Sequence, residues 1–268
     1  MNDQDSKVVK LNEDNKDNLA DVEQESTEIR IKPRNKGIYL LPNLFTTGAL
    51  FFGFYAIVAS MNGMFSNASI AIFVAMVLDG LDGRVARLTN TQSDFGAEYD
   101  SLADMVSFGV APALVAFTWA LQDLGKVGWV AAFVYVAGAA LRLARFNTQI
   151  DTADKNYFTG LASPAAAAIV AGTVWAFSEM GASGDDVAWV MAILVPLSGV
   201  LMVSNFQYHS FKGLDLKGKV PFVAMLAVVM GFVVVSIDPA KVLLGIFMAY
   251  AFSGPVVSGW QYMKARRQ

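Results

Sequence analysis

Stretches of about 20 mostly apolar residues recur along the chain, and they limit its fold more than any other feature. There are eight of them, at 43–62, 65–88, 95–120, 127–146, 159–180, 186–206, 219–237 and 239–260. A helix of that length and composition is long enough to cross a bilayer. Because 55% of the 268 residues are hydrophobic and only 16% are charged, a water-soluble domain of this size would lack polar surface. The sequence therefore predicts an all-α, multi-pass transmembrane bundle.

The Lys and Arg residues test the number of spans independently. With eight spans, fifteen of these residues fall on one side of the membrane, and only Lys126 and Lys241 fall on the other. An excess of positive charge near the span ends marks the cytoplasmic side. The charge pattern therefore predicts eight spans with both termini in the cytoplasm.

The beginning of the chain differs from the remainder. The first 28 residues carry nine acidic side chains and no aromatic one, and they show no apolar helical stripe. Such a composition cannot bury enough apolar surface to fold. We therefore expect residues 1–36 to form a disordered, polar cytoplasmic head and residues 37–268 to form the membrane domain.

The residue types that are missing or rare exclude several kinds of site. The chain has no cysteine and a single histidine, His209. Disulfides, zinc–thiolate sites and thiol catalysis are therefore excluded. One histidine also argues against a multi-histidine metal site. Catalytic groups must therefore come mainly from Asp, Glu, Lys and Arg side chains.

Four aspartates stand at helical spacing around the junction of the second and third apolar stretches. Asp79 and Asp82 are three residues apart, and Asp100 and Asp104 are four apart. Each pair shares one helix face. Two consecutive helices joined by a short turn are antiparallel neighbours, so the two acidic faces can meet.

Acidic side chains within a membrane domain are costly and usually functional. Four neighbouring carboxylates would repel one another, and a hard divalent cation with oxygen ligands relieves that repulsion. The sequence therefore predicts that Asp79, Asp82, Asp100 and Asp104 bind Mg²⁺ or Mn²⁺. Asp94 and Glu98, which lie near the same turn, are read instead as acids of the headgroup layer.

The acidic segment resembles the signature of a known family. It reads Asp79-x-x-Asp82-Gly83-x-x-Ala86-Arg87, then eight residues, Gly96, three residues, Asp100, three residues and Asp104. This pattern is similar to that of the CDP-alcohol phosphatidyltransferases at every defined position. The resemblance extends over most of the chain after about Gly37.

The resemblance implies a reaction and a set of roles. The phosphatidyl group of CDP-diacylglycerol would pass to a small alcohol, with two metal ions at the four aspartates and Asp104 also accepting the proton of the attacking hydroxyl. The donor would contact Asp82 together with residues of the first and second spans: Asn43, Thr46, Gly83, Ala86 and Arg87. The resemblance also implies a homodimer in a bacterial-type inner membrane, with the active site facing the cytoplasm and no nucleic-acid partner.

Further stretches resemble the branch of this family that uses L-serine as the acceptor. They include Tyr39–Thr46, Ser107–Ala113, Arg142–Asn147 and Tyr157–Ala167. Serine carries a carboxylate, and the planar guanidinium of Arg suits a carboxylate or a phosphate. Arg142 and Arg145, with Asn147 beside them, are therefore the predicted serine-binding residues. Snorkelling of the two arginines at a span end is the alternative.

Two other functions fit parts of the pattern. The same transfer could use glycerol 3-phosphate, inositol phosphate or choline, although a phosphorylated acceptor would need a denser basic cluster. A cation transporter would need acids deep in several helices, yet the fourth to eighth spans carry none near their centres. A purely structural scaffold does not explain four acids at these spacings.

Overall fold

The computed structural model describes residues 40–148, 157–209 and 222–265. Within these ranges the chain forms eight helices and a short two-stranded ladder. The elements are α1 (Leu40–Met61), α2 (Phe65–Thr89), α3 (Asp94–Leu124), α4 (Lys126–Thr148), β1 (Tyr157–Thr159), α5 (Ser163–Glu179), α6 (Ala188–Val203), β2 (Gln207–His209), α7 (Phe222–Ile237) and α8 (Pro239–Ala265). The prediction of an all-α membrane protein is confirmed. The predicted head at 1–36 lies outside the described residues.

Five helical stretches of the described chain are long and apolar enough to cross a membrane. They are Leu41–Met61, Asp94–Leu124, Lys126–Thr148, Asp185–Val203 and Pro239–Ser258. Helix α2, which ends in the charged acidic segment, is not among them, and neither are the shorter helices α5 and α7, with 17 and 16 residues. Each of the eight helices overlaps one predicted stretch. The number of spans and the side of the termini stay predictions.

The link between α2 and α3 brings the two acidic helices side by side. Asn90 ends α2 in the left-handed conformation, with φ 52°. The Thr91 amide donates to the Ala86 carbonyl, which satisfies a carbonyl that the helix end would otherwise leave free. Ser93 begins α3 by accepting a hydrogen bond from the Gly96 amide at 3.1 Å. Since only four residues separate the helices, α3 must turn back alongside α2.

Helix α3 widens into a π-helical turn at Met105–Val110, directly after Asp104. A π turn leaves a backbone carbonyl without its usual helical donor. The buried Tyr135 hydroxyl of α4 donates to the Phe108 carbonyl at 3.0 Å. The Ser107 hydroxyl donates to the Ala49 carbonyl of α1 at 3.1 Å. The widened turn is thus fixed between α1 and α4.

The ladder of β1 and β2 joins two connecting segments whose sequences do not predict strands. The strands run antiparallel, with Phe158 opposite Tyr208. Next to β1, Gly160 has φ 82°, and a Cβ there would overlap the Met202 carbonyl. The Leu161 amide then donates to the Leu201 carbonyl at 3.0 Å. These contacts fix the start of α5 against the end of α6.

Candidate active site

Three of the four predicted aspartates converge between α2 and α3. One carboxylate oxygen from each of Asp79, Asp82 and Asp100 lies within 4.8 Å of the others. Asp104 lies one turn further along α3, where its carboxylate is next to that of Asp79. The two acidic helix faces therefore meet, as the spacing predicts.

Helix α1 supports this cluster from one side. The Thr46 hydroxyl donates to Asp82 Oδ2 at 2.8 Å, and the Asp82 side chain is only 5% exposed. In contrast, Asp100 Oδ1 is buried and has no hydrogen-bond partner among the described residues. A buried carboxylate oxygen without a donor is costly. A cation bound there would satisfy it.

The donor set fits a divalent metal ion. Carboxylate oxygens are the ligands that Mg²⁺ and Mn²⁺ prefer, and three of them converge here. Without a cation, adjacent negative charges in a partly buried site repel one another strongly. The cluster can therefore hold a metal through Asp79, Asp82 and Asp100, with Asp104 adjoining it.

A cavity of about 230 Å³ opens beside the carboxylates. All six predicted donor-contact residues line it: Asn43, Thr46, Asp82, Gly83, Ala86 and Arg87. The lining also includes residues for which no donor contact was predicted: Pro42, Thr91, Gln92, Ser93, Gly96, Ala97 and Asp100. Thr91, Gln92 and Ser93 belong to the link between the acidic helices. Their position in the sequence could have identified them as lining residues, because a short link between two helices of the site must border the site.

The glycines of the acidic segment have different surroundings. A Cβ on Gly96 would lie 3.1 Å from Ser93 Oγ and 3.4 Å from Asn43 Oδ1, so this glycine lets α1 approach α3. A Cβ on Gly83 would lie 3.7 Å from an Arg87 guanidinium nitrogen, on the cavity wall. At Gly80 there is nothing within 4 Å. Only Gly96 is explained by close contact between helices.

A family model described as CDP-alcohol phosphatidyltransferase matches residues 39–203, which include the whole carboxylate cluster and the whole cavity lining. The chain belongs to the CDP-alcohol phosphatidyltransferase family. The resemblance drawn from the acidic signature is thereby confirmed.

Three curated relatives of this phosphatidyltransferase carry one name, CDP-diacylglycerol–serine O-phosphatidyltransferase. The Helicobacter pylori protein is 38% identical over 213 residues, which cover 80% of this chain and 90% of the relative. The Mycobacterium leprae protein is 34% identical over 215 residues, covering 76% and 71%. The Methanocaldococcus jannaschii protein is 34% identical over 155 residues, covering 58% and 70%.

The structure separates the three predicted serine-binding residues of this phosphatidyltransferase. The Arg142 guanidinium donates from Nη1 to the buried Ser163 Oγ at 2.6 Å and lies close enough to Asp104 to attract its charge. Arg145 instead donates to Asn205 Oδ1 at 3.4 Å in an exposed position. Of these two arginines, only Arg142 adjoins Asp104.

Asn147 has a third set of surroundings. Its side chain is exposed, and its Nδ2 donates to Oγ of the half-buried Ser101 at 3.1 Å. Ser101 follows Asp100 directly on α3. Asn147 therefore ties the end of α4 to the acidic helix.

Chemically, the phosphatidyltransferase site has two sides. The cavity beside Asp82 and Asp100 offers small residues, hydroxyls and the Arg87 cation, which suits a phosphorylated ligand. Beyond Asp104 lies the Arg142 cation, which suits a second anionic group. The carboxylates lie between these two sides.

Proposed function

We propose that this chain transfers the phosphatidyl group of CDP-diacylglycerol to L-serine, forming phosphatidylserine and CMP. The convergence of Asp79, Asp82 and Asp100 beside the 230 Å³ cavity carries the proposal. The shared name of the curated relatives supports serine as the acceptor. The alternatives with glycerol 3-phosphate, inositol phosphate or choline rest on no comparable observation.

The carboxylates of α2 and α3 would bind the donor diphosphate through divalent metal, which supplies charge neutralisation and stabilises the departing CMP. We propose two ions of Mg²⁺ or Mn²⁺, held by Asp79, Asp82 and Asp100 with Asp104 completing the set. The cavity residues Asn43, Thr46, Gly83, Ala86 and Arg87 would hold the nucleotide and phosphates. The acyl chains would stay in the lipid.

In the reaction the serine hydroxyl attacks the phosphorus that carries the diacylglycerol. A new oxygen–phosphorus bond forms, the bond to the CMP oxygen breaks, and the hydroxyl proton passes to Asp104. A carboxylate among cations is a weak base, so much of the acceleration must come from holding the hydroxyl in line with the leaving group. Arg142, next to Asp104, would supply that orientation by binding the serine carboxylate.

The proposal extends to the location and assembly of the enzyme. Serine and the product CMP are water-soluble and would enter and leave from the cytoplasm, so we propose a bacterial-type inner membrane with the active site on the cytoplasmic face. We also propose a homodimer. The cation-transporter alternative lacks support, because the clustered acids of the described residues lie together on α2 and α3.

Removal of divalent metal should stop the reaction. We expect excess EDTA to reduce CMP release by roughly 1,000-fold or more, because the donor diphosphate would then face unscreened carboxylates. Adding Mg²⁺ or Mn²⁺ beyond the chelator should restore the rate. Full activity in excess EDTA would contradict the metal role of the aspartates.

A panel of alcohols tests the acceptor. Purified enzyme with CDP-diacylglycerol and Mn²⁺ should release CMP fastest with L-serine. Serinol keeps the hydroxyl and the amine but lacks the carboxylate, so it should be a poorer acceptor. Faster release with glycerol 3-phosphate, inositol phosphate or choline would overturn the serine assignment and leave the family chemistry intact.

A further inference from the structure

Helix α8 lies beyond the segment that the family model matches, yet it reaches the side of the site that contains Arg142. We call this the acceptor side, because the acceptor is proposed to bind there. The family match ends at residue 203, and α8 spans Pro239–Ala265. Tyr250 on α8 interacts electrostatically with the guanidinium of Arg142. The same guanidinium faces Asp104. A tyrosine from outside the matched segment thus stands beside the cation that adjoins the reaction centre.

The Tyr208 side chain packs into a gap in the surface of α8, and this contact determines where α8 packs. Pro255 lies inside α8 and has no amide hydrogen, so the Ala251 carbonyl loses its helical donor. The Tyr208 hydroxyl donates to this carbonyl at 3.1 Å. Gly254 provides the space, because a Cβ at that position would overlap the Tyr208 ring. Tyr208 is fully buried in this contact with α8.

Tyr208 is also connected to Tyr250 and to Ser163, the hydrogen-bond partner of Arg142. The Tyr208 and Tyr250 rings are 5.4 Å apart with planes inclined at 43°. Tyr208 also belongs to β2, which pairs with β1, and the segment after β1 leads into Ser163. Ser163 accepts the hydrogen bond from Arg142. Tyr208 therefore helps to fix the positions of both Tyr250 and Ser163.

Arg142 keeps hydrogen-bonding capacity for a ligand. Ser163 uses Nη1, and the buried Nε has no hydrogen-bond partner among the described residues. A neutral phenol beside a cation can add a hydrogen bond to a ligand without adding a second charge that would have to be desolvated. Such a pair suits a small carboxylate.

We propose that Tyr250 is an acceptor-binding residue, whose hydroxyl acts beside Arg142 to recognise the carboxylate end of the amino-acid acceptor. The inference rests on the proposed transfer to serine and deepens it. It assigns part of the acceptor specificity to α8, whereas the metal and donor contacts come from α1, α2 and α3.

Tyr250→Phe tests the inference, since it removes one oxygen and keeps the ring that packs on Tyr208. We expect the KM for L-serine to rise by about tenfold, the factor typical of one lost hydrogen bond. The KM for CDP-diacylglycerol should not change. The preference for serine over serinol should fall by a similar factor. Tyr55→Phe, at an exposed position of α1, is the matched control and should behave as wild type.

A pair of glycines on α8 provides a second test. Gly254→Ala should displace the Tyr208 ring and raise the serine KM as Tyr250→Phe does. Gly245→Ala adds the same methyl group on the same helix where nothing lies within 4 Å, so its serine KM should equal that of wild type. Should Gly254→Ala fail to fold, Tyr250→Phe still decides the question, because it adds no atom.

The results separate failure of this inference from failure of the proposed function. A wild-type enzyme that prefers an acceptor other than serine would overturn the proposed function. A serine-specific wild type whose Tyr250→Phe variant keeps the serine KM would overturn the inference alone. Equal rises in the donor and serine KM values, or a lower Tm with an unchanged serine/serinol ratio, would reduce Tyr250 to a packing residue and also overturn it.

Discussion

Asp79→Asn, Asp82→Asn and Asp100→Asn should each reduce CMP release by roughly 1,000-fold or more, while the variant protein still inserts and folds. Asparagine has nearly the same shape as aspartate, but it replaces an anionic oxygen with an amide that binds a divalent cation weakly. The three carboxylate oxygens lie within 4.8 Å of one another, so each substitution would remove one proposed ligand from the same candidate site. The measurement is CMP release by purified protein at saturating Mn²⁺.

Two other acidic residues of α3 provide matched controls. Asp94 and Glu98 lie at exposed positions in the first turns of α3. Asp94→Asn and Glu98→Gln remove the same charge without touching the cluster, so both should keep activity near that of wild type. If one of the three cluster variants stayed within a few-fold of wild type, that residue would not be a metal ligand. Recovery of a variant at Mn²⁺ concentrations above those that saturate the wild-type enzyme would show that the substitution weakens binding of the ion.

Arg142→Ala should raise the KM for L-serine by about 30- to 1,000-fold, which is the loss expected when a charged hydrogen-bond partner is removed from a partly buried site. The KM for CDP-diacylglycerol should change far less. Serinol should lose its disadvantage against serine in this variant, because the carboxylate that distinguishes the two acceptors would have no partner. Initial rates over a range of both substrates measure the effect.

Arg145→Ala is the control for this prediction. Arg145 contacts the exposed Asn205, so its removal should leave the serine KM within a few-fold of wild type. Arg142→Lys keeps the charge and protects the test against misfolding of the Ala variant. A rise in the donor KM with an unchanged serine/serinol ratio would instead assign Arg142 to a phosphate.

Much of the fold and of the candidate metal site could be predicted from local sequence patterns. The length of each apolar stretch gave the positions of the eight helices, because crossing a bilayer requires a fixed number of helical residues. The spacing of Asp79 with Asp82 and of Asp100 with Asp104 placed each pair on one face, because the helical repeat depends only on local geometry. The short link at 90–93 then left antiparallel packing of α2 and α3 as the simple arrangement.

The acceptor side could not be predicted in the same detail. Arg142 and Arg145 are one turn apart with the same chemistry, and the sequence offers no way to choose between them. The choice depends on Ser163 at the start of α5 and on Asp104 of α3, which reach Arg142 only after the helices have packed. Asn147 likewise contacts Ser101 across 46 positions of sequence.

By itself, the sequence determined the membrane class, the helices and the pairs of aspartates, because each follows from periodicity or composition within about 20 residues. The tertiary structure alone decided which arginine adjoins the carboxylates, where the π turn after Asp104 finds its hydrogen bonds, and how Tyr208 fits against Gly254 and Ala251. The physical reason is that these contacts join segments far apart in the chain. They depend on the angle and depth at which helices pack, which local patterns do not specify.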